Sequence, residues 1–118
     1  MSDPLKEKAF AFAVRVVRLA EYLQKEKKEF ILSKKISDSG VNVGLFIEEA
    51  RQGDDRNEFR LKYSVANKEA FKSNYLLHVI HGSGYITEDQ FNSLLFDCEE
   101  LQKMLSSALK TVGRPSTT

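Results

Sequence analysis

Four stretches of this chain place apolar side chains at alternating steps of three and four residues. The first of these rows consists of Ala9, Phe12, Val16, Leu19 and Leu23. Such rows repeat close to the helical period of about 3.6 residues, so all members of one row fall on one face of a helix. A β-strand would need alternation at every second residue, and no stretch sustains it. The pattern predicts an all-α fold, an antiparallel up-down-up-down four-helix bundle.

Capping residues and glycines set the expected limits of the helices. Asp3 is an N-cap residue, and Pro4 follows it at the first helical position, where its missing N–H costs nothing. Gly53 and the run Gly82–Gly84 end the second and third helices, and Thr87–Gln90 has the pattern of a capping box. We expect one domain over residues 1–118, with helices at about 4–25, 31–52, 55–81 and 88–112 and a frayed tail at 113–118.

The sequence leaves two possible helix boundaries at each of two turns. Lys25–Glu29 could continue the first helix or form the turn that follows it. Asp54 or Asp55 could cap the third helix, and Glu58, three residues after Asp55, resembles the second member of a capping box. Neither alternative changes the predicted bundle.

The first helix carries a second apolar row beside its main one. The members of this second row are Phe10, Val14, Val17 and Ala20. A helix of an isolated bundle needs only one apolar face, so the wider arc indicates either a broad core contact or an interface between subunits.

The second helix carries two glycines, Gly40 and Gly44, inside its span. Each glycine costs about 1 kcal/mol relative to alanine in a helix interior. Their spacing of four residues places them on one face. They predict that a neighbouring helix comes close there, and a kink is the alternative.

The balance of acidic and basic residues limits the kinds of partner that this chain is expected to bind. The 18 Lys and Arg residues nearly cancel the 17 Asp and Glu residues, which weakens a strongly electropositive binding mode but leaves room for local patches. Two basic groups stand at opposite ends of the second helix, so one subunit cannot merge them. We take them as candidate nucleic-acid-binding residues, with ordinary solvated surface as the alternative. They are Lys25, Lys27, Lys28, Lys34 and Lys35 in the first group, and Arg51, Arg56 and Arg60 in the second.

Residues for catalysis or metal binding do not form a recognisable pattern in the sequence. No Glu has a His three residues later, as a di-iron bundle would need. Zinc needs three or four ligands, and His78 and His81 have only Cys98 as an obvious companion. Nucleophile motifs and glycine-rich phosphate loops are also missing. The sequence therefore predicts a protein that is not an enzyme and that holds no cofactor and no metal.

The sequence predicts a cytoplasmic protein that does not contact membranes. Cys98 is the only cysteine and lies on an apolar row, which suits a reducing compartment. Met1–Pro4 does not begin a signal peptide, and no apolar run approaches the roughly 18 residues that a membrane span requires.

The second helix carries a run that is similar to a known family signature. Ser39–Ala50 reads Ser-Gly-Val-Asn-Val-Gly-Leu-Phe-Ile-Glu-Glu-Ala. It resembles the signature Ser-Gly-Thr-Ser-Ile-Gly-Ala-Asn-Ile-x-Glu-Ala of the four-helix-bundle family of 23S rRNA intervening-sequence (S23) proteins, with Phe46 in place of the signature asparagine. The resemblance spans about residues 5–112. Further matching pieces are Glu58-Phe59, Ala66–Ala70, Tyr75–Leu77, Gly84–Ile86 and Glu100–Leu105.

The resemblance implies a fold, an assembly and a range of functions. Family members are up-down-up-down bundles that form rings of five, and no enzymatic activity is associated with them. Genes for some lie inside 23S rRNA intervening sequences. A related protein, the accessory variability determinant of diversity-generating retroelements, binds nucleic acid and a reverse transcriptase. The resemblance implies a homopentameric scaffold with RNA or DNA as its partner, and the alternative is a protein-interaction adaptor that binds no nucleic acid.

Three carboxylates occupy positions of the family motifs. They are Glu48, Glu49 and Glu69. A buried carboxylate needs a cation or hydrogen-bond donors, so we expect structural pairing at these positions. The expected partners are Tyr63, Tyr75, Lys68 and Arg51.

Overall fold

The fold is a bundle of four helices. A computed structural model describes the backbone of residues 3–113 and the side chains of residues 3–111. Within that part of the chain there is no strand, and each helix packs against its two neighbours, with α4 closing on α1. The predicted all-α bundle is confirmed. The helices are α1 (Pro4–Lys27), α2 (Leu32–Gln52), α3 (Arg56–Gly82) and α4 (Glu88–Gly113).

Each helix begins and ends within two residues of its predicted limits, and the predicted caps at Asp3, Asp55 and Thr87 form. Asp3 Oδ1 accepts the N–H of Lys6 at 3.2 Å, and Asp55, rather than Asp54, accepts the N–H of Glu58 at 2.8 Å. Thr87 and Gln90 form a reciprocal capping box, with bonds of 3.2 and 2.9 Å. These bonds satisfy N–H groups that have no partner inside their helix. Of the predicted tail, residues 114–118 lie outside the described residues.

The four apolar rows meet along the bundle axis and form one core. Phe12, Leu23, Ile36, Leu77 and Leu101 are among its fully buried members. The bundle measures 55 × 26 × 22 Å, so the core is long and narrow and leaves two ends and four outer faces for contacts with partners.

The close approach of α1 and α2 is confirmed at both predicted glycines, but only one of them leaves no room for a larger residue. A Cβ atom on Gly40 would overlap the Val16 side chain of α1, whereas a Cβ atom on Gly44 would lie 3.7 Å from Ala9, an ordinary contact. The helix α2 runs through both glycines without a break. Only Gly40 is therefore required by the packing of the helices.

The first turn is part helix and part loop. The helix α1 continues to Lys27, and Lys28 adopts the left-handed conformation with φ 53°. The N–H groups of Lys28 and Glu29 both bond to the carbonyl oxygen of Leu23, the second at 2.9 Å. These bonds satisfy the last turn of α1 and reverse the chain toward α2.

Candidate interaction surfaces

The first basic group lies at the end of the bundle where α1 turns into α2. We call it the lysine end; its members are Lys25, Lys27, Lys28, Lys34 and Lys35. All five are exposed, and among the described residues none lies within salt-bridge distance of a carboxylate. The Nζ atom of Lys27 lies 5.9 Å from the ring centroid of Tyr22, close enough for a cation–π contact. The positive charges at this end are available to an anionic partner.

Glu29 lies within this group but faces the backbone of α2. Its carboxylate accepts the N–H groups of Ile31 at 3.1 Å, Leu32 at 3.0 Å and Ser33 at 2.9 Å. Burial pushes the pKa of the Glu29 carboxyl upward, but the three backbone donors outweigh it and lower the pKa. Because the carboxylate caps the helix, it makes no ion pair with a lysine of the lysine end.

Two large apolar side chains stand at the tip of the same turn. Phe30 is 61% exposed and Ile31 is 69% exposed. The sequence pattern does not indicate them as surface features, because the predicted second helix begins at Ile31 and Phe30 belongs to no apolar row. The available signal was that Phe30 lies outside the apolar rows and among charged residues. The structure adds an exposed aromatic ring to the lysine end.

The second basic group lies at the opposite end of α2, so the structure does not bring the two groups together. Arg51 bonds to Asp3 at 2.7 Å and to the Tyr63 hydroxyl at 3.0 Å, and so ties α2 to the helices beside it. Burial raises the pKa of the Tyr63 hydroxyl, with Asp3 adding to the rise and Arg51 opposing it. Arg56 and Arg60 are exposed on the first turns of α3. Nucleic-acid binding by this group stays a prediction.

A continuous apolar surface covers the outer side of α1 and α2. We call it the apolar face; it is formed by Phe10, Ala13, Val14, Val17, Val41 and Leu45. Phe10 is 70% exposed, and a groove of about 550 Å³ runs beneath it between the two helices. Of the second row on α1, only Ala20 is buried. The broad core contact is therefore wrong for the rest of the row, and an interface between subunits stays a prediction.

The three family-motif carboxylates all lie within ion-pair distance of a lysine, but only Glu69 is buried, and Glu48 and Glu49 are partly exposed. The expected partners were wrong, because the lysines that reach these carboxylates lie elsewhere. Lys68, for example, precedes Glu69 directly and points about 100° away around the helix, whereas Lys72 is one turn further on. The pairs are Glu48–Lys6 at 2.8 Å, Glu49–Lys62 at 2.7 Å and Glu69–Lys72 at 3.0 Å.

Two serines form a buried polar contact between α2 and α3. The hydroxyl groups of Ser39 and Ser73 lie 2.9 Å apart, and Ser73 also bonds to the carbonyl oxygen of Glu69 at 3.0 Å. Above them a polar groove of about 360 Å³ opens between Lys35 and Tyr75. The hydroxyls satisfy each other, which explains how both serines occupy core positions.

The two histidines and the cysteine contact other residues of the bundle. The rings of His78 and His81 lie 5.0 and 4.3 Å from the ring of Phe91, centroid to centroid. Burial raises the pKa of the Cys98 thiol to about 12, and the thiol bonds to the carbonyl oxygen of Ala70 at 3.3 Å. Such a thiol is a poor nucleophile. Among the described residues, no group of three or more potential ligands could hold a metal, and no helix has the length and apolarity to cross a membrane.

In the part of the chain described, the geometry defines a small helical bundle with two exposed basic groups and an exposed apolar face. A model of the family described as 23S rRNA-intervening sequence protein matches residues 4–107, and the chain belongs to this family. A crystal structure from Bacteroides thetaiotaomicron, of a protein with unknown function from the S23 ribosomal protein family, is similar. It is 40% identical, has a TM-score of 0.88, and the match covers 90% of this chain and 95% of that chain. No curated protein matches the chain.

Proposed function

We propose that this protein is a non-catalytic scaffold that assembles with copies of itself through the apolar face and binds nucleic acid through the lysine end. The observation that carries the proposal is the apolar face. Its large apolar side chains remain exposed in the folded bundle. The family description, 23S rRNA-intervening sequence protein, names a ribosomal RNA, and this supports a nucleic-acid partner. A cytoplasmic location, expected from the single cysteine, stays a prediction.

The composition of the apolar face supports self-assembly. Fully burying a side chain such as Phe10, Val14 or Leu45 is worth about 1.5–3 kcal/mol relative to leaving it exposed. Charged residues of both signs border the face, among them Lys6 and Glu48, so a second copy meets no wall of like charge. A ring of five, as the resemblance implies, would cover the face on every copy.

Assembly would also strengthen nucleic-acid binding. A single lysine end supplies few phosphate contacts, which give weak and steeply salt-dependent affinity. A ring repeats the lysine end on every subunit, and contacts to one strand by several subunits raise the overall affinity without any new contact. The two surfaces would therefore act together.

Light scattering of the purified chain tests the assembly. We expect a mass several times the chain mass of 13.5 kDa, and five times that mass for a ring of five. Phe10→Glu combined with Val14→Glu should dissociate the assembly, since it places charges in the interface. The matched control is Phe96→Glu, because Phe96 is similarly exposed but lies on α4. A strictly monomeric parent chain, with folding verified by circular dichroism, would refute this part of the proposal.

Fluorescence anisotropy with labelled RNA and DNA at low salt tests the second part. Lys28→Glu combined with Lys34→Glu should remove most of the binding and reduce the slope of log affinity against log salt. Lys68→Glu combined with Lys103→Glu changes the net charge equally at exposed positions on α3 and α4, and should have a small effect. Equal losses in both variants, or no binding by the parent chain at about 50 mM salt, would contradict the proposal.

A protein-interaction adaptor is the second candidate, and one observation favours it. The outer side of α3 exposes Leu61, Phe71 and Tyr75, which do not belong to the apolar face. Aromatic residues are enriched in protein interfaces. If the adaptor reading is correct, a partner protein recovered with the parent chain should be lost with Phe71→Glu and retained with the Lys28→Glu and Lys34→Glu variant.

A further inference from the structure

We propose that Phe30 stacks against an unpaired base, so that the lysine end binds single-stranded nucleic acid in preference to duplex. This inference rests on the proposed function, because it names the class of nucleic acid that the same site takes. It follows from the exposure of the ring, the fixed backbone that presents it and the lysines around it.

Phe30 has no role in the core of the bundle. Its ring is 61% exposed at the tip of the first turn, and it belongs neither to the core nor to the partly buried apolar residues packed against it. Exposed aromatic rings are costly to keep in contact with water and are typical of binding sites. The ring is therefore available to a ligand.

The backbone on both sides of Phe30 is held by hydrogen bonds. On the preceding side, the N–H groups of Lys28 and Glu29 bond to the carbonyl oxygen of Leu23. On the following side, the Glu29 carboxylate holds the N–H groups of Ile31 and the two residues after it. A ring presented by a fixed turn loses little conformational entropy when a ligand binds.

The surroundings of the ring match the chemistry of single-stranded nucleic acid. Such sites combine cationic groups that follow the phosphate backbone with aromatic side chains on which bases stack. The lysine end supplies five exposed lysines on both sides of Phe30. In a duplex the faces of the bases are covered by their neighbours, so the ring could stack only after the duplex was unstacked. We therefore expect the site to prefer an unpaired strand.

The comparison of Phe30 with Ile31 supplies a matched control. Both side chains are large, apolar and similarly exposed, and they are adjacent, but only Phe30 has a π face. In fluorescence anisotropy with a single-stranded oligouridylate of about 12 nucleotides, Phe30→Ala should weaken binding about tenfold. Ile31→Ala should bind like the parent chain, and neither variant should change binding to a duplex of two complementary strands without a loop. Unchanged single-strand binding by Phe30→Ala, or an equal loss with Ile31→Ala, would overturn the inference.

A tryptophan at this position gives a direct signal, because the chain contains no Trp. We expect Phe30→Trp to retain binding and its fluorescence to be quenched by the single strand but not by the duplex. Tight binding to vesicles of anionic phospholipid, with a blue shift of the Trp emission and no quenching by the oligonucleotide, would assign the tip to a lipid surface and overturn the inference.

The failure of this inference can be told apart from the failure of the proposed function. If Lys28→Glu and Lys34→Glu abolish binding while Phe30→Ala does not alter it, the stacking role is wrong and the nucleic-acid scaffold stands. If the parent chain binds neither strand nor duplex at low salt, both are wrong.

Discussion

At the scale of single residues, Gly40 decides how closely α1 and α2 approach. We expect Gly40→Ala to lower the free energy of unfolding by about 1–3 kcal/mol, because the new methyl group would overlap Val16 in a packed core. Gly44→Ala is the control: its Cβ atom would make an ordinary contact with Ala9, so the variant should be neutral or up to about 1 kcal/mol more stable. Urea unfolding of both variants measures this. An equal effect at the two positions would contradict the packing described.

Glu29 should contribute stability that depends on pH. Glu29→Gln keeps the shape of the side chain but loses its charge at the N-terminus of α2, and should cost about 1 kcal/mol at neutral pH. Because the folded-state pKa of Glu29 is lowered, its contribution is present above the unfolded-state pKa and is lost as the pH falls through the folded-state pKa. The difference in stability between parent and variant should therefore shrink below about pH 4. Urea unfolding between neutral and acidic pH measures it, and a difference that grows with acidity would contradict the cap.

The two kinds of cap differ in how readily a sequence indicates them. Thr87 and Gln90 were predicted because a capping box has a fixed spacing and needs only the helix that it starts. The cap by Glu29 was missed because it depends on the left-handed conformation of Lys28, which turns the chain so that a side chain ahead of the helix reaches three N–H groups. The capping box can be predicted from the local spacing of residues, whereas the cap by Glu29 can be recognised only from the path of the backbone.

At the scale of helix pairs, the α2–α3 contact combines an apolar row with the hydroxyl pair of Ser39 and Ser73. Ser39→Ala alone should lower the free energy of unfolding by about 1 kcal/mol, because it removes the bond that the two hydroxyls share. Adding Ser73→Ala should cost less than the sum of the two single changes, since the pair is removed together. A double-mutant cycle by urea unfolding measures the coupling, and strictly additive costs would show that the two hydroxyls act independently.

The sequence indicates that α1 has two apolar rows, but it does not indicate whether the second row is buried or exposed. Periodicity records which side chains share a face, and it does not record what covers that face. The packing of the neighbouring helices decides the outcome: Ala20 is buried, whereas Phe10 and Val14 lie at the surface. The same limit applies to the ion pairs, since the register of neighbouring helices chooses the lysine that reaches a given carboxylate.

At the scale of the whole molecule, the bundle and the candidate site were predictable to different degrees. Four rows and their caps define the architecture, because burial of each row needs the other three. The two basic groups at opposite ends of α2 also follow from antiparallel packing. Two features could not be predicted from the sequence: the exposure of Phe30, and the apolar face that residues of α1 and α2 form together. Both depend on how neighbouring elements lie beside each other.

If the apolar face is covered by a second copy, assembly and folding are linked. Any partner that binds only the folded chain raises its stability, so the thermal midpoint should rise with protein concentration. Leu45→Glu places a charge in the apolar face and should make the midpoint independent of concentration, while leaving a folded monomer because the Leu45 side chain is about half exposed. Phe96→Glu, on α4, should keep the dependence of the parent chain. Thermal unfolding followed by circular dichroism measures the midpoint over a hundredfold range of protein concentration, which corresponds to roughly 3 kcal/mol of linked stabilisation. A midpoint of the parent chain that does not change with concentration would show that the face is not buried by self-association.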